Sequence, residues 1–173
     1  MSKRRPASQT GITPAAAPAA APVGSPFHHR NLPLLLLQAR EGVMARFRPI
    51  LNAHGVTEQQ WRILRALLEG GPMEPRQIGQ VCRISSPSLA GVLARMDDLG
   101  LVQRARLPQD QRRVMVALTD RSTALAAAMA PEIEAAYAAI EAHIGGAFIA
   151  RFYGALDELI GLLDDLDAAD DAG

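Results

Sequence analysis

The sequence predicts a mainly α-helical fold carrying one small β-hairpin. Three observations lead there. Apolar residues recur three or four apart through most of residues 32–166, which is helical spacing. Capping and stop signals (Thr57 with Gln60, Ser86-Pro87, Gly70-Gly71-Pro72, Gly145-Gly146) cut that stretch into separate helices. One segment, 101–118, departs from the pattern and clusters or alternates apolar residues around a polar centre, as a hairpin does.

Residues 1–26 are mostly Ala, Pro, Gly, Ser and Thr, too poor in large apolar side chains to offset the entropy of ordering, and read as a disordered tail. A first helix follows over 32–52 with Leu36, Val43, Phe47 and Ile50 inward; Pro33 suits its first turn and Pro49 should loosen its end. Thr57 and Gln60 make a capping box for a second helix whose buried face is Trp61, Leu64, Leu67 and Leu68. A short helix over 74–82 turns Ile78, Val81 and Cys82 to one side, and Arg83-Ile84-Ser85 breaks it. The next helix opens with Ser86 as cap and Pro87 as first helical residue, buries Leu89, Val92, Leu93, Met96 and Leu99, and stops at Gly100. Strands over 101–106 and 113–118 flank a polar loop, 107–112. Thr119 caps a long helix with Leu125, Met129, Ile133, Tyr137, Ile140 and Ile144 on one face and a local bend at Pro131. The last helix carries Phe148, Phe152, Leu156, Leu159, Leu163 and Leu166 and should fray in its acidic end, 164–171.

Composition narrows the function. The 173 residues carry no net charge, so any argument for nucleic-acid binding has to be local. Such a bias exists: between residues 83 and 113 six arginines face three aspartates. The single cysteine, Cys82, permits no internal disulfide and fits a reducing cytoplasm. The apolar run 34–37 is too short to span a bilayer, and the basic start leads into alanine and proline, which argues against export and against a membrane partner. The four histidines are scattered without metal-ligand spacing, and neither a Gly-x-Ser-x-Gly elbow nor a phosphate loop is present, so no enzyme, metal or cofactor is expected.

Leu99-Gly100-Leu101-Val102, together with Asp110-Gln111-Arg112-Arg113 running on to Ala117-Leu118-Thr119, resembles the signature of the MarR family of transcriptional regulators. The likeness spans about 32–166. Within that family the runs 37–41, 47–51 and 57–62 are similar to repressors of homoprotocatechuate degradation and of nicotinate catabolism. The resemblance implies a winged helix-turn-helix with long N- and C-terminal dimerisation helices: a domain over 27–168, a DNA-binding lobe over 73–119, and dimerisation helices over 30–54 and 120–168. Two departures, Ala90-Gly91 in place of threonine and a basic residue, and Ser122 in place of glycine, leave the DNA sequence preference open.

In such a fold the second helix of the motif enters the major groove by its N-terminal end, whose free N–H groups favour phosphate. Ser85, Ser86, Pro87 and Ser88 are the expected contacts there, with Arg76 and Arg95 as phosphate clamps. At the hairpin tip Arg112 is the expected minor-groove probe, Arg113 its support and Asp110 the group that orients an arginine. The partner is double-stranded DNA with a pseudo-palindromic operator, because the apolar surplus of the outer helices predicts a two-fold homodimer. The resemblance further implies a small aromatic carboxylate effector, for which His28, Arg30, Gln38 and Arg40 are candidate partners and Trp61 a candidate wall. Two alternatives stay open: a redox-sensing repressor acting through Cys82, and a winged-helix association module without specific DNA binding.

Overall fold

The computed structural model describes residues 26–107 and 110–170, and side chains over 26–106 and 113–166. Residues 1–25 of the expected tail lie outside it. The chain falls into two compact units, 1–41 and 42–173. In the first, the Asn31 side chain accepts the Leu34 N–H at 3.0 Å and opens helix α1 (Leu32–Ala53). Leu32, Leu34, Leu35, Leu36 and Leu37 are exposed.

Helix α1 ends in the second unit. Pro49 does not interrupt it: one lost N–H bond is tolerated in a turn that Phe47 and Leu51 anchor in the core. Leu36 and Val43, expected inward, are exposed. Helix α2 (Glu58–Gly70) starts with the expected capping box, Thr57 Oγ1 accepting the Gln60 N–H at 3.2 Å and Gln60 Oε1 accepting the Thr57 N–H at 2.9 Å. Gly71 ends it at φ 73, which a side chain would resist. Ile63, Leu64 and Leu67 are buried, whereas Trp61 is half-buried and Leu68 exposed.

Helix α3 (Pro75–Cys82) and helix α4 (Ser86–Asp98) form the helix-turn-helix. Ile78 and Cys82 are buried as expected; Val81, at the edge of so short a helix's stripe, is exposed instead. The α4 cap also differs from expectation. The Leu89 N–H bonds to the Ser85 carbonyl at 2.9 Å, so Ser85 is the cap, Ser86 the first helical residue and Pro87 the second. Leu89, Val92, Leu93 and Met96 are buried; Leu99, already past the helix, is exposed. Gly100 at φ 64 turns the chain into the hairpin.

Strands β1 (Val102–Leu107) and β2 (Asp110–Leu118) pair antiparallel, Val102 opposite Leu118 and Arg106 opposite Val114, with a register irregularity at Arg106/Leu107. Both strands run further toward the tip than expected, because an exposed ribbon end needs only backbone pairing and no apolar alternation. Met73, before α3, exchanges two backbone bonds with Val116 and ties the hairpin to the motif.

Thr119 caps helix α5 (Asp120–Ile144), and its capping-box partner is Ser122, fully buried. Thr119 Oγ1 donates to the Gly100 carbonyl at 2.7 Å, and Ser122 Oγ to the Thr119 carbonyl at 2.9 Å. The serine in place of glycine therefore has a structural use. Pro131 leaves α5 unbroken. Helix α6 (Gly146–Asp170) stays helical past the point where fraying was expected. The core of this unit is Ile63, Leu64, Ile78, Leu93, Met96, Val102, Val116 and Met129, each such burial stabilising by roughly 1.5–3 kcal/mol.

Candidate nucleic-acid interface and neighbouring cavity

The tip of α4 is polar, exposed and small. Ser85, Ser86, Pro87 and Ser88 are all exposed, and Ser85 Oγ donates to Ser88 Oγ at 3.1 Å. No side-chain cap consumes the first N–H groups of the helix, so the serines are not spent on local capping. Backbone donors and hydroxyls together suit a phosphate.

Charge around this tip divides into two groups. Arg83, Arg104 and Arg113 are held by carboxylates: Arg83 Nη2 lies 3.1 Å from Asp164 Oδ1, Arg104 Nε 3.4 Å from Asp97 Oδ2, and Arg113 pairs with Glu74 ahead of α3. Arg76 on α3, Arg95 on α4 and Arg106 on β1 are exposed and make no ion pair among the described residues. The second group is the one available to a polyanion. The predicted clamps Arg76 and Arg95 belong to it, and Arg106, one of the six arginines counted between 83 and 113, joins them. Arg113 is committed to the wing's base. The side chains of Asp110 and Arg112 lie outside the described ones.

A cavity of about 350 Å³ opens between α2, α5 and α6. Arg65 of α2 forms one wall, Glu134, Tyr137, Ile140 and Glu141 of α5 a second, and Ile149 and Tyr153 of α6 a third. The Arg65 guanidinium pairs with Glu69 and lies 6.0 Å from the Trp61 ring centroid, within cation–π range. Tyr137 packs at 4.8 Å against Phe47. Burial, with Tyr153, Glu134 and Glu69 nearby, pushes the Tyr137 hydroxyl up against the opposing pull of Arg65, so it stays a protonated donor. With Arg65 paired to Glu69 and with Glu134 and Glu141 in the wall, the cavity offers a small aromatic ligand one guanidinium, the Tyr137 phenol and the apolar Ile140 and Ile149.

Trp61, the expected wall, is not among the residues that line the cavity, whereas Arg65 and Tyr137, which line it, were not expected. Arg65 follows Trp61 by one helical turn, the available signal; Tyr137 was hidden in the apolar stripe of α5. In the first unit His28, Arg30 and Gln38 are exposed and Arg40 pairs with Glu41. Cys82 is buried, its Sγ donating to the Arg62 carbonyl at 3.6 Å. Burial pushes its thiol above 9.0, with Arg62 opposing, the reverse of what a reactive thiolate needs.

Residues 54–113, from the end of α1 through the helix-turn-helix into the wing, match the MarR family. The homoprotocatechuate degradative operon repressor of Escherichia coli is 41% identical over 134 residues, 78% of this chain and 90% of that repressor. This chain belongs to the MarR family. A second relative, the HTH-type transcriptional regulator FarR of Neisseria gonorrhoeae, is 41% identical over 117 residues, 68% of this chain and 80% of FarR. Among solved structures, NadR in complex with 4-hydroxyphenylacetate is 38% identical, superposes with a TM-score of 0.71 and covers 78% of this chain and 96% of NadR. The fold of this MarR protein is the expected winged helix-turn-helix. Among its described residues no helix is long and apolar enough to cross a membrane.

Proposed function

We propose that this protein is a dimeric DNA-binding transcriptional repressor of an aromatic-acid catabolic operon, released by a small hydroxylated aromatic acid. It acts on double-stranded DNA in the cytoplasm and is a binder, not an enzyme. The observation that carries the reading is the exposed serine tip of α4, suited to phosphate, in a fold that also holds a cavity lined by Arg65 and Tyr137. The relatives named above, a homoprotocatechuate operon repressor and a protein crystallised with 4-hydroxyphenylacetate, support the same ligand class.

On DNA, Ser85, Ser86, Pro87 and Ser88 enter the major groove, Arg76, Arg95 and Arg106 neutralise phosphates, and Arg112, oriented by Asp110, probes the minor groove. Two copies meet a pseudo-palindrome through the exposed leucines of α1 and the apolar face of α6, where no described side chain is buried. In the cavity, Arg65 pairs the effector carboxylate, Tyr137 bonds a ring substituent and Trp61 flanks the guanidinium. His28, Arg30, Gln38 and Arg40 form a second candidate set for that carboxylate.

A ligand releases DNA only if it binds the free protein better than the complex. Calorimetry with 3,4-dihydroxyphenylacetate, 4-hydroxyphenylacetate and 6-hydroxynicotinate, with and without a DNA duplex that the protein selects from a random pool, tests this. Binding that weakens on DNA is expected, lost in Arg65→Ala and retained in Arg40→Ala. Equal affinity in both states sinks the effector reading, and loss confined to Arg40→Ala moves the carboxylate to the second set.

A further inference from the structure

We infer that Arg62 is the positioning residue that couples the cavity to the recognition helix α4, with Arg83 as a weaker second tether. This deepens the effector reading and rests on it. Arg62 stands beside Trp61 and three residues before Arg65, on the helix that forms one cavity wall. Its Nη1 donates to the Cys82 carbonyl at 2.7 Å, and Cys82 Sγ donates back to the Arg62 carbonyl at 3.6 Å. Cys82 is the last residue of α3, where helical carbonyls lack intrahelical donors and the dipole attracts a cation. The end of α3 is therefore capped by a charge that belongs to α2.

The next residue, Arg83, makes the turn into α4. At φ 48 it is the sole non-glycine residue in the left-handed region among the described residues. Its side chain reaches Asp164 on α6, the helix that forms another wall of the cavity. Two consecutive residues at the turn are thus tied to α2 and α6, two of the helices that line the cavity, Asp164 lying about three turns beyond the lining residue Tyr153. The turn is fastened to the motif: the Ile84 N–H bonds to the Gly79 carbonyl at 3.0 Å and the Ile84 side chain is buried. A displacement of 82–83 must pass on to Ser85 and the tip of α4.

The two tethers are unequal. The Arg62 bond is charge-assisted and part-buried, whereas the Arg83 and Asp164 side chains are 72% and 59% exposed, so water and salt screen that pair. A ligand that changes the separation of α2 from α5 and α6 moves Arg62 and Asp164 relative to each other. The turn cannot follow both and follows Arg62, which swings the serine tip out of register with the groove.

The test uses the full chain, 3,4-dihydroxyphenylacetate and the self-selected duplex, and reads the ratio of ligand Kd on the DNA complex to that on free protein. Wild type should give a ratio of about 5–150, the ordinary range of such linkages. Arg62→Gln should leave ligand binding to free protein within about twofold and lower the ratio by about fivefold or more, while Arg62→Lys, which keeps a cationic donor, restores most of it. Asp164→Asn, which releases the opposing tether, should raise it by about twofold, at low salt only. An unchanged ratio in a folded Arg62→Gln protein overturns the coupling alone. Should Arg62→Gln not fold, Arg62→Met, which keeps the apolar stem and removes the donor, must lower the ratio by about threefold, and an unchanged ratio there overturns it equally. No ligand binding, or binding that Arg65→Ala leaves intact, overturns the cavity reading and the coupling with it.

Discussion

The helix-turn-helix with its wing and the terminal helix α6 both carry long rows of apolar residues, but they use them differently. In the first, Ile78, Cys82, Leu89, Val92, Leu93, Met96, Val102 and Val116 are all buried, and the hairpin is tied back to α3 through Met73. In α6, Phe148, Phe152, Leu163 and Leu166 recur with the same helical spacing, and among its described side chains none is buried. Periodicity predicts that a face will be covered, not by which chain. The lobe covers its face with its own elements; α6 leaves its face open, the one the proposed dimer would cover.

The comparison breaks first in the core. Leu93→Ala should cost about 2–5 kcal/mol in chemical denaturation, because the surrounding helices cannot collapse onto the void. If it costs less than truncating an α6 residue, the lobe is not the self-sufficient part. Leu163→Asp should leave the lobe's own unfolding nearly unchanged and weaken self-association by roughly 2 kcal/mol, about thirtyfold in Kd, seen by light scattering across a dilution series. An unaltered dimer would place the two-fold contact elsewhere. Where the wing runs into α5, Thr119→Val removes both the α5 cap and the bond to the Gly100 carbonyl and should cost roughly 1–2 kcal/mol in thermal unfolding.

Smaller effects sharpen the division among the arginines. Arg95→Ala should reduce the slope of log affinity against log salt by about 1, whereas Arg104→Ala, already neutralised by Asp97, should change it by a fraction of that. The smallest effect is in pH. Cys82 and Tyr137 both have folded pKa values raised by burial, so the stability they carry is fully present below their ordinary values, 9.0 and 10.0, and falls as pH rises beyond them, where the unfolded chain releases protons that the native one keeps. Unfolding followed from about pH 8 to 10.5 should show a decline that Cys82→Ala makes shallower.

Much of this was legible in the sequence for local reasons. Thr57 with Gln60, Thr119, and the glycines at 71 and 100 mark ends through bonds made within a few residues, and the structure forms them. Errors came where a neighbouring residue of the same type competes, as with Ser85 against Ser86, or where a stripe is too short to define its edge, as with Val81. The site was half legible. Arg76, Arg95 and the serine tip follow from position alone, but the pairing of Arg113 with Glu74 and the meeting of Arg65 with Tyr137 join residues far apart in the chain, and no periodicity encodes that.

The most direct test of the account is fluorescence anisotropy of the self-selected duplex against a random one across a salt series. It should give two protomers per duplex, a preference of about 10³ or more for the selected sequence, and a salt slope reduced by about 2 in the Arg76→Ala, Arg95→Ala double variant. Equal affinity for both duplexes, or a slope that ignores both arginines, would contradict it.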